Sequence, residues 1–243
     1  LALRRAFKVA ATEPGGPVYL AMAHHALEAK GVKAQILPAE RFLLRARVRP
    51  EAAAVEKAAR LLVEARRPLL VVGDEVWKSG AQADLVAFVE KLGLAVAGGT
   101  QGFRNFPVKH PHYLGNFSMG SELVKRGVDL IVCVGARDFG GRVLPQGPEV
   151  PPAARIVRLG IDTASMSRNY ATDVALVADV KEGLADLRVA VESIATKERL
   201  GALAAARAEE VRAITSDLRA KAEAEARKNF GQKPIHPDEL GAV

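Results

Sequence analysis

Five strand-length segments rich in apolar residues, the continuous run "PLLVV" (68–72), then "LAVAG" (94–98), "DLIVCVG" (129–135), "ARIVRLGI" (154–161) and "DVALVAD" (173–179), recur along the chain. The segments between them are mostly long enough to hold a helix. A strand with one face in water alternates apolar and polar residues, whereas an unbroken run is covered on both faces. That is the habit of parallel strands with helices above and below. The intervening segments carry helical spacing: Ala53, Val55, Ala58, Leu61, Leu62 and Ala65 form one stripe, and residues 80–92, 119–126 and 180–195 continue the alternation. No tight hairpin signal breaks it. The pattern predicts an α/β fold over residues 51–190, a doubly wound parallel Rossmann-like sheet.

The flanks read differently. Residues 3–11 can form a helix that "EPGGP" ends, because Pro and Gly cannot continue it. "VYLA" (18–21) reads as a short strand. Residues 28–50, with mixed charge, Pro38, Pro50 and no clear period, read as a linker. Residues 198–228 are rich in Ala, Glu, Arg and Lys and predict a long, exposed linking helix. "GQKP" stops it, and "HPDEL" is a fresh helix-start signal close to Val243. With Leu1 rather than Met at the start, the span reads as cut from a longer chain.

The net charge of +7 raises the question of nucleic acid. Residues 1–50 hold nine Lys and Arg against Glu13, Glu28 and Glu40, so the rest is nearly neutral. A basic edge without interleaved aromatics makes a poor single-strand platform, and no helix-turn-helix or zinc spacing appears. No run reaches the roughly 18 apolar residues of a membrane span. The reading is therefore no nucleic-acid partner and no membrane. Cys133 alone cannot build a disulfide framework, which fits a cytoplasmic protein, and its apolar run predicts a buried thiol.

Candidate chemistry is sparse. The turn after the first strand is Gly73-Asp74-Glu75, two carboxylates where a dinucleotide fold brings a pyrophosphate close. Like charges at about 4 Å repel by several kcal/mol even when screened, which argues against a dinucleotide grip there. His110 and His112 have no third ligand in sequence reach, so no metal site is expected. "GARDFGGRV" (135–143) places Arg137 and Arg142 at the carboxyl end of a strand, where open α/β sheets bind ligands. Arginine forks suit carboxylates and phosphates. Asp162 ends the next strand and could accept from ribose hydroxyls, or one arginine could pair with Asp138 or Asp162. Asp179 is expected to cap the following helix. These residues leave two readings open: a stand-alone nucleotide-binding Rossmann-like module, and a nucleotide-free structural domain.

The ordered set "GPVYLAM", "ARRPLLVVGDEVWKSGA", "FPVKHPHYLG", "DLIVCVGARDFGGRV", "ARIVRLGIDTASMSRNY" and "DVALVADV" resembles the thiamine diphosphate-dependent enzymes, in particular the acetolactate synthase large subunit and benzoylformate decarboxylase group. The resemblance spans nearly the whole chain. It implies that residues 1–27 are the C-terminal end of a pyrimidine-binding domain and 28–50 a linker. It implies a central domain over 51–190, and over 191–243 a linker helix and the start of a pyrophosphate-binding domain. The implied activity is decarboxylation of a 2-oxo acid, or acyl or aldehyde transfer from it, in a full-length homodimer or homotetramer. Thiamine diphosphate and Mg2+ would bind outside this span, because the activating glutamate lies upstream and the Gly-Asp-Gly motif downstream. The span alone is expected to be inactive, with no catalytic residue. Central domains of this family carry FAD, an ADP moiety or no nucleotide. Asp74-Glu75 stands where flavin-bearing relatives have glycines, and Gly140-Gly141 where they have acids. These departures count against FAD. Arg137, Arg142 and Asp162 remain the candidates for a nucleotide such as ADP or CoA, or for the substrate channel.

Overall fold

The computed structural model describes residues 1–33, 35–42, 47–99, 102–137, 139 and 150–241. The chain forms two compact units, Leu1–Val48 and Arg49–Val243.

Among its described residues the first unit holds helices α1 (Ala2–Ala11) and α2 (His24–Leu27) and a 3-10 turn at Ala39–Arg41. No α1 residue is buried. The Arg4 guanidinium lies 4.2 Å above the Phe42 ring. The expected strand at 18–21 is not formed. A strand exists only through a ladder with a neighbour, and none of the described residues pairs with this segment.

The second unit alternates as the apolar runs predict. Helix α3 (Ala52–Glu64) leads into β1 (Pro68–Val72), then come α4 (Glu75–Lys78), α5 (Gln82–Leu92), β2 (Ala95–Gly98), β3 (Tyr113–Asn116), α6 (Glu122–Lys125) and β4 (Leu130–Val134). Strands β5 (Arg155–Gly160) and β6 (Val174–Val177) follow, then α7 (Val180–Ile194), α8 (Lys197–Arg227) and α9 (Pro237–Gly241). The strand order is β3-β2-β1-β4-β5-β6, and every pair is parallel. Chain order thus reverses between β1 and β4, which creates a switch point at their carboxyl ends.

Strand residues alternate between two cores, as period-2 geometry requires. Leu70, Val72, Val132 and Val134 pack with α3, α5 and α7 in one cluster. Leu69, Val71, Ile131 and Cys133 pack in the other, with α6 and α8. Asp179 caps α7 as expected, accepting from the Lys181 and Glu182 N–H groups. Strand β3 lies inside a segment that reads as loop from sequence. It is an irregular edge strand whose residues are partly exposed, so no apolar run announces it.

Helix α8 departs from the expectation of an exposed linker. Residues 216–225 are exposed, but Leu200 joins the first core, and Val211 and Ile214 join the second. Arg207, only 7% exposed, donates to the Leu62 carbonyl at 2.7 Å, the Leu92 carbonyl at 3.3 Å and the Ala65 carbonyl. It therefore closes the carboxyl ends of α3 and α5 together, where a cation also meets the negative ends of the helix dipoles. Burial lowers its pKa to about 10, so it stays charged at neutral pH. The Arg67 Nε–H donates to both Glu210 carboxylate oxygens at 3.0 Å, and its Nη1 to the Arg126 carbonyl.

Candidate functional site

The carboxyl ends of β1, β4 and β5 meet at the switch point. The Gly73 N–H donates to the Val134 carbonyl and the Glu75 N–H to the Gly135 carbonyl, so the turns after β1 and β4 touch directly. A Cβ on Gly73 would lie 2.5 Å from the Ala136 Cα, and only glycine permits that approach. Gly135 adopts a φ of +62°.

Both carboxylates of the first turn are taken up by the protein. The Asp74 oxygens accept from the Gly102 N–H at 2.9 and 3.0 Å, the Phe103 N–H at 3.1 Å and the Asn105 Nδ2 at 3.0 Å. Asn105, buried at 1% exposure, also accepts from the Trp77 N–H and donates to the Phe103 carbonyl. This network holds the two exposed rings of Trp77 and Phe103 in a parallel stack, centroids 4.3 Å apart. The Glu75 Oε2 accepts the Ile161 N–H at 2.7 Å, beyond the end of β5. Each acid thus takes backbone N–H groups of the kind that would otherwise be offered to a phosphate.

Arg137 follows β4 at the carboxyl edge. Its Nε lies 3.1 Å from the Asp162 Oδ2, so two of the three candidate residues from the sequence are brought together, as an ion pair. Asp162 is well covered and Arg137 is 60% exposed. Arg142, the third, lies outside the described residues, as does Asp138.

Arg158 on β5 was not legible as a site residue. It is 2% exposed, and its Nη2 donates to the Ala136 carbonyl at 3.0 Å and to the Arg137 carbonyl. It thereby fixes the backbone that presents Arg137. The signal was available: a cation inside the run "RIVRLG" must be buried, and a buried guanidinium needs acceptors.

His112 is buried, with its Nδ1 3.0 Å from the Leu94 carbonyl. Burial above all lowers its pKa, with the neighbouring charges of His110 and Arg212 adding to the effect; the Leu94 hydrogen bond and Glu90 work against it. The His110 Nε2 lies 3.3 Å from a Glu90 carboxylate oxygen. Among the described residues no three His, Cys, Asp or Glu side chains gather as metal ligands. They do not form a site fitted to a magnesium-bound diphosphate. None of the described helices is long and apolar enough to cross a membrane.

Residues 55–187 match the family described as thiamine pyrophosphate enzyme, central domain. The chain belongs to this family. Its similarity to curated members extends further. It is 30% identical over 202 residues to acetolactate synthase 2, chloroplastic, of Zea mays, covering 81% of this chain and 31% of that protein. It is 32% identical over 142 residues to the acetolactate synthase large subunit of Corynebacterium glutamicum, covering 57% and 22%. The crystal structure of benzoylformate decarboxylase from Polynucleobacter necessarius superposes with a TM-score of 0.60 at 27% identity, over 77% of this chain and 35% of that one. The chain spans about a third or less of the length of the curated relatives it matches. The parallel sheet with helices on both faces is thus the central-domain fold of the thiamine pyrophosphate enzymes.

Proposed function

We propose that this chain is the central part of a thiamine diphosphate-dependent enzyme that acts on a 2-oxo acid, by decarboxylation or by acyl or aldehyde transfer. The single observation that carries the reading is the family match over 55–187. In this reading residues 1–27 end a pyrimidine-binding domain, 28–50 link it onward, 51–190 form the central domain, and 191–243 lead into a pyrophosphate-binding domain. Thiamine diphosphate with Mg2+, bound by the flanking domains of the full-length protein, supplies the carbanion stabilisation that removal of CO2 from a keto acid requires. The residues of this chain wall the substrate channel and support the subunit arrangement, and the span alone is inactive. The protein works in the cytoplasm as a homodimer or homotetramer.

The central domain carries no nucleotide in this proposal. Asp74 and Glu75 occupy the switch point, and Arg137 is paired with Asp162; both facts favour a structural edge over an FAD or ADP site. Exposed Phe7, Tyr19 and Ile36 in the first unit favour packing against further protein.

The experiment is to translate the coding sequence on both sides and express the extended protein. Release of CO2 from a 2-oxo acid, dependent on thiamine diphosphate and Mg2+, supports the assignment. A flanking sequence without the activating glutamate and the Gly-Asp-Gly motif, and an inert protein, would overturn it in favour of the stand-alone module.

A further inference from the structure

Three glycines stand at the carboxyl ends of three adjacent strands: Gly73 after β1, Gly135 after β4 and Gly160 at the end of β5. In open α/β sheets such glycines leave room for a ligand's phosphates. Here the backbone of Ala136 lies against Gly73, and the space beside Gly135 and Gly160 is filled by a side chain. A Cβ on Gly160 would lie 2.7 Å from the Glu75 Oε2, and one on Gly135 would lie 2.8 Å from the Glu75 Cβ. The Glu75 side chain therefore runs from the end of β1 past Gly135 to Gly160. There it accepts the Ile161 N–H at 2.7 Å. Neighbouring strands are about 4.8 Å apart, so bridging from β1 across β4 to β5 requires a long side chain. The turn after β1 covers the first step, since the Glu75 N–H already donates to the Gly135 carbonyl; the two methylenes of glutamate cover the second, whereas Asp74 with one turns to the 102–105 loop instead.

We propose that Glu75 is the residue that decides ligand exclusion at the switch point: its carboxylate takes the space beside Gly135 and Gly160 and the Ile161 N–H that a nucleotide phosphate would otherwise meet. This rests on the reading of the central domain as nucleotide-free. Exclusion has two parts. The side chain fills the space beside Gly135 and Gly160, and its carboxylate takes the Ile161 N–H that a phosphate oxygen would otherwise accept.

The test uses the full chain, as wild type and as Glu75→Gly, titrated calorimetrically with ADP and, as a control without phosphate, adenosine. Wild type shows no saturable heat with either. Glu75→Gly shows saturable heat with ADP at concentrations where wild type shows none, and gains nothing for adenosine. If Glu75→Gly does not fold, Glu75→Ala, which keeps the Cβ against Gly135 and removes the rest, replaces it. A folded variant as silent as wild type towards ADP overturns the inference and leaves the nucleotide-free reading intact. Saturable ADP binding by wild type overturns that reading itself. An equal gain for adenosine shows that the carboxylate does not stand in for a phosphate. Unfolding of both variants makes Glu75 a structural tie and ends the proposal.

Discussion

Replacing Arg207 by Met removes a buried cation while keeping much of its volume, and its effect can be worked from three carbonyls. Leu62, Ala65 and Leu92 each accept from the guanidinium, and α8 covers them, so water does not simply take its place. A hydrogen bond contributes about 1 kcal/mol net, and a buried acceptor left without a donor costs about 1–3 kcal/mol. Set against this, burial opposes the charged form and pulls its pKa down to about 10, so the variant recovers part of the loss. The balance is a destabilisation of about 3 kcal/mol, which lowers Tm by roughly 6–12 °C in a chain of this size. Arg207→Lys keeps the charge but not the fork and falls between the two. Chemical and thermal denaturation of the three proteins, followed by circular dichroism, give the comparison. A Met variant as stable as wild type would refute the account of α8 as a helix stapled to the sheet domain.

Two further outcomes follow from the polar network and the buried imidazole. Asp74→Ala frees the Gly102 and Phe103 N–H groups and the Asn105 amide, destabilising by about 1.5–3 kcal/mol; chymotrypsin cleavage after Phe103 and a red shift of Trp77 fluorescence report the loosened loop, and unchanged cleavage would count against the network. Because burial lowers the pKa of His112 in the fold, the folded state prefers the neutral ring; stability is full above the unfolded value of about 6.5 and is lost as pH falls below it. His112→Asn, which keeps a donor for the Leu94 carbonyl without titrating, flattens that part of the profile in urea titrations between pH 7 and 5, and parallel profiles for the two proteins would dismiss the effect.

Among the described strands, β1, β2 and β4 announce themselves because a strand covered on both faces is apolar along its length, and β5 and β6 are still mostly apolar although Arg155 and alternate residues of β6 are exposed. β3 does not, since an edge strand buries too little of "YLGN" to leave a pattern. The packing of α8 was hidden for a related reason: Arg207 sits in the middle of its buried stripe with Ala208, Val211 and Ile214, and a cation there reads as solvent-facing until the helix ends it serves are in place. At the edge of the sheet, the placement of Arg137 follows from its position after β4, and its pairing with Asp162 is one of the alternatives the sequence leaves open. The roles of Asp74 and Glu75 were legible in sign alone: two negative charges at the turn oppose a phosphate. That they accept N–H groups from residues 102–103 and 161 depends on which strands are neighbours, and local sequence carries no record of that order.

The central claim is that this span is framework, with both halves of the thiamine site supplied by flanking domains. Its most direct test is a calorimetric titration of the purified chain with thiamine diphosphate in the presence of Mg2+, repeated with FAD. The account predicts no saturable heat for either cofactor and a protein without flavin absorbance as purified. Saturable binding of thiamine diphosphate would contradict it outright, and yellow protein that releases flavin on denaturation would show that Asp74 and Glu75 do not close the switch point.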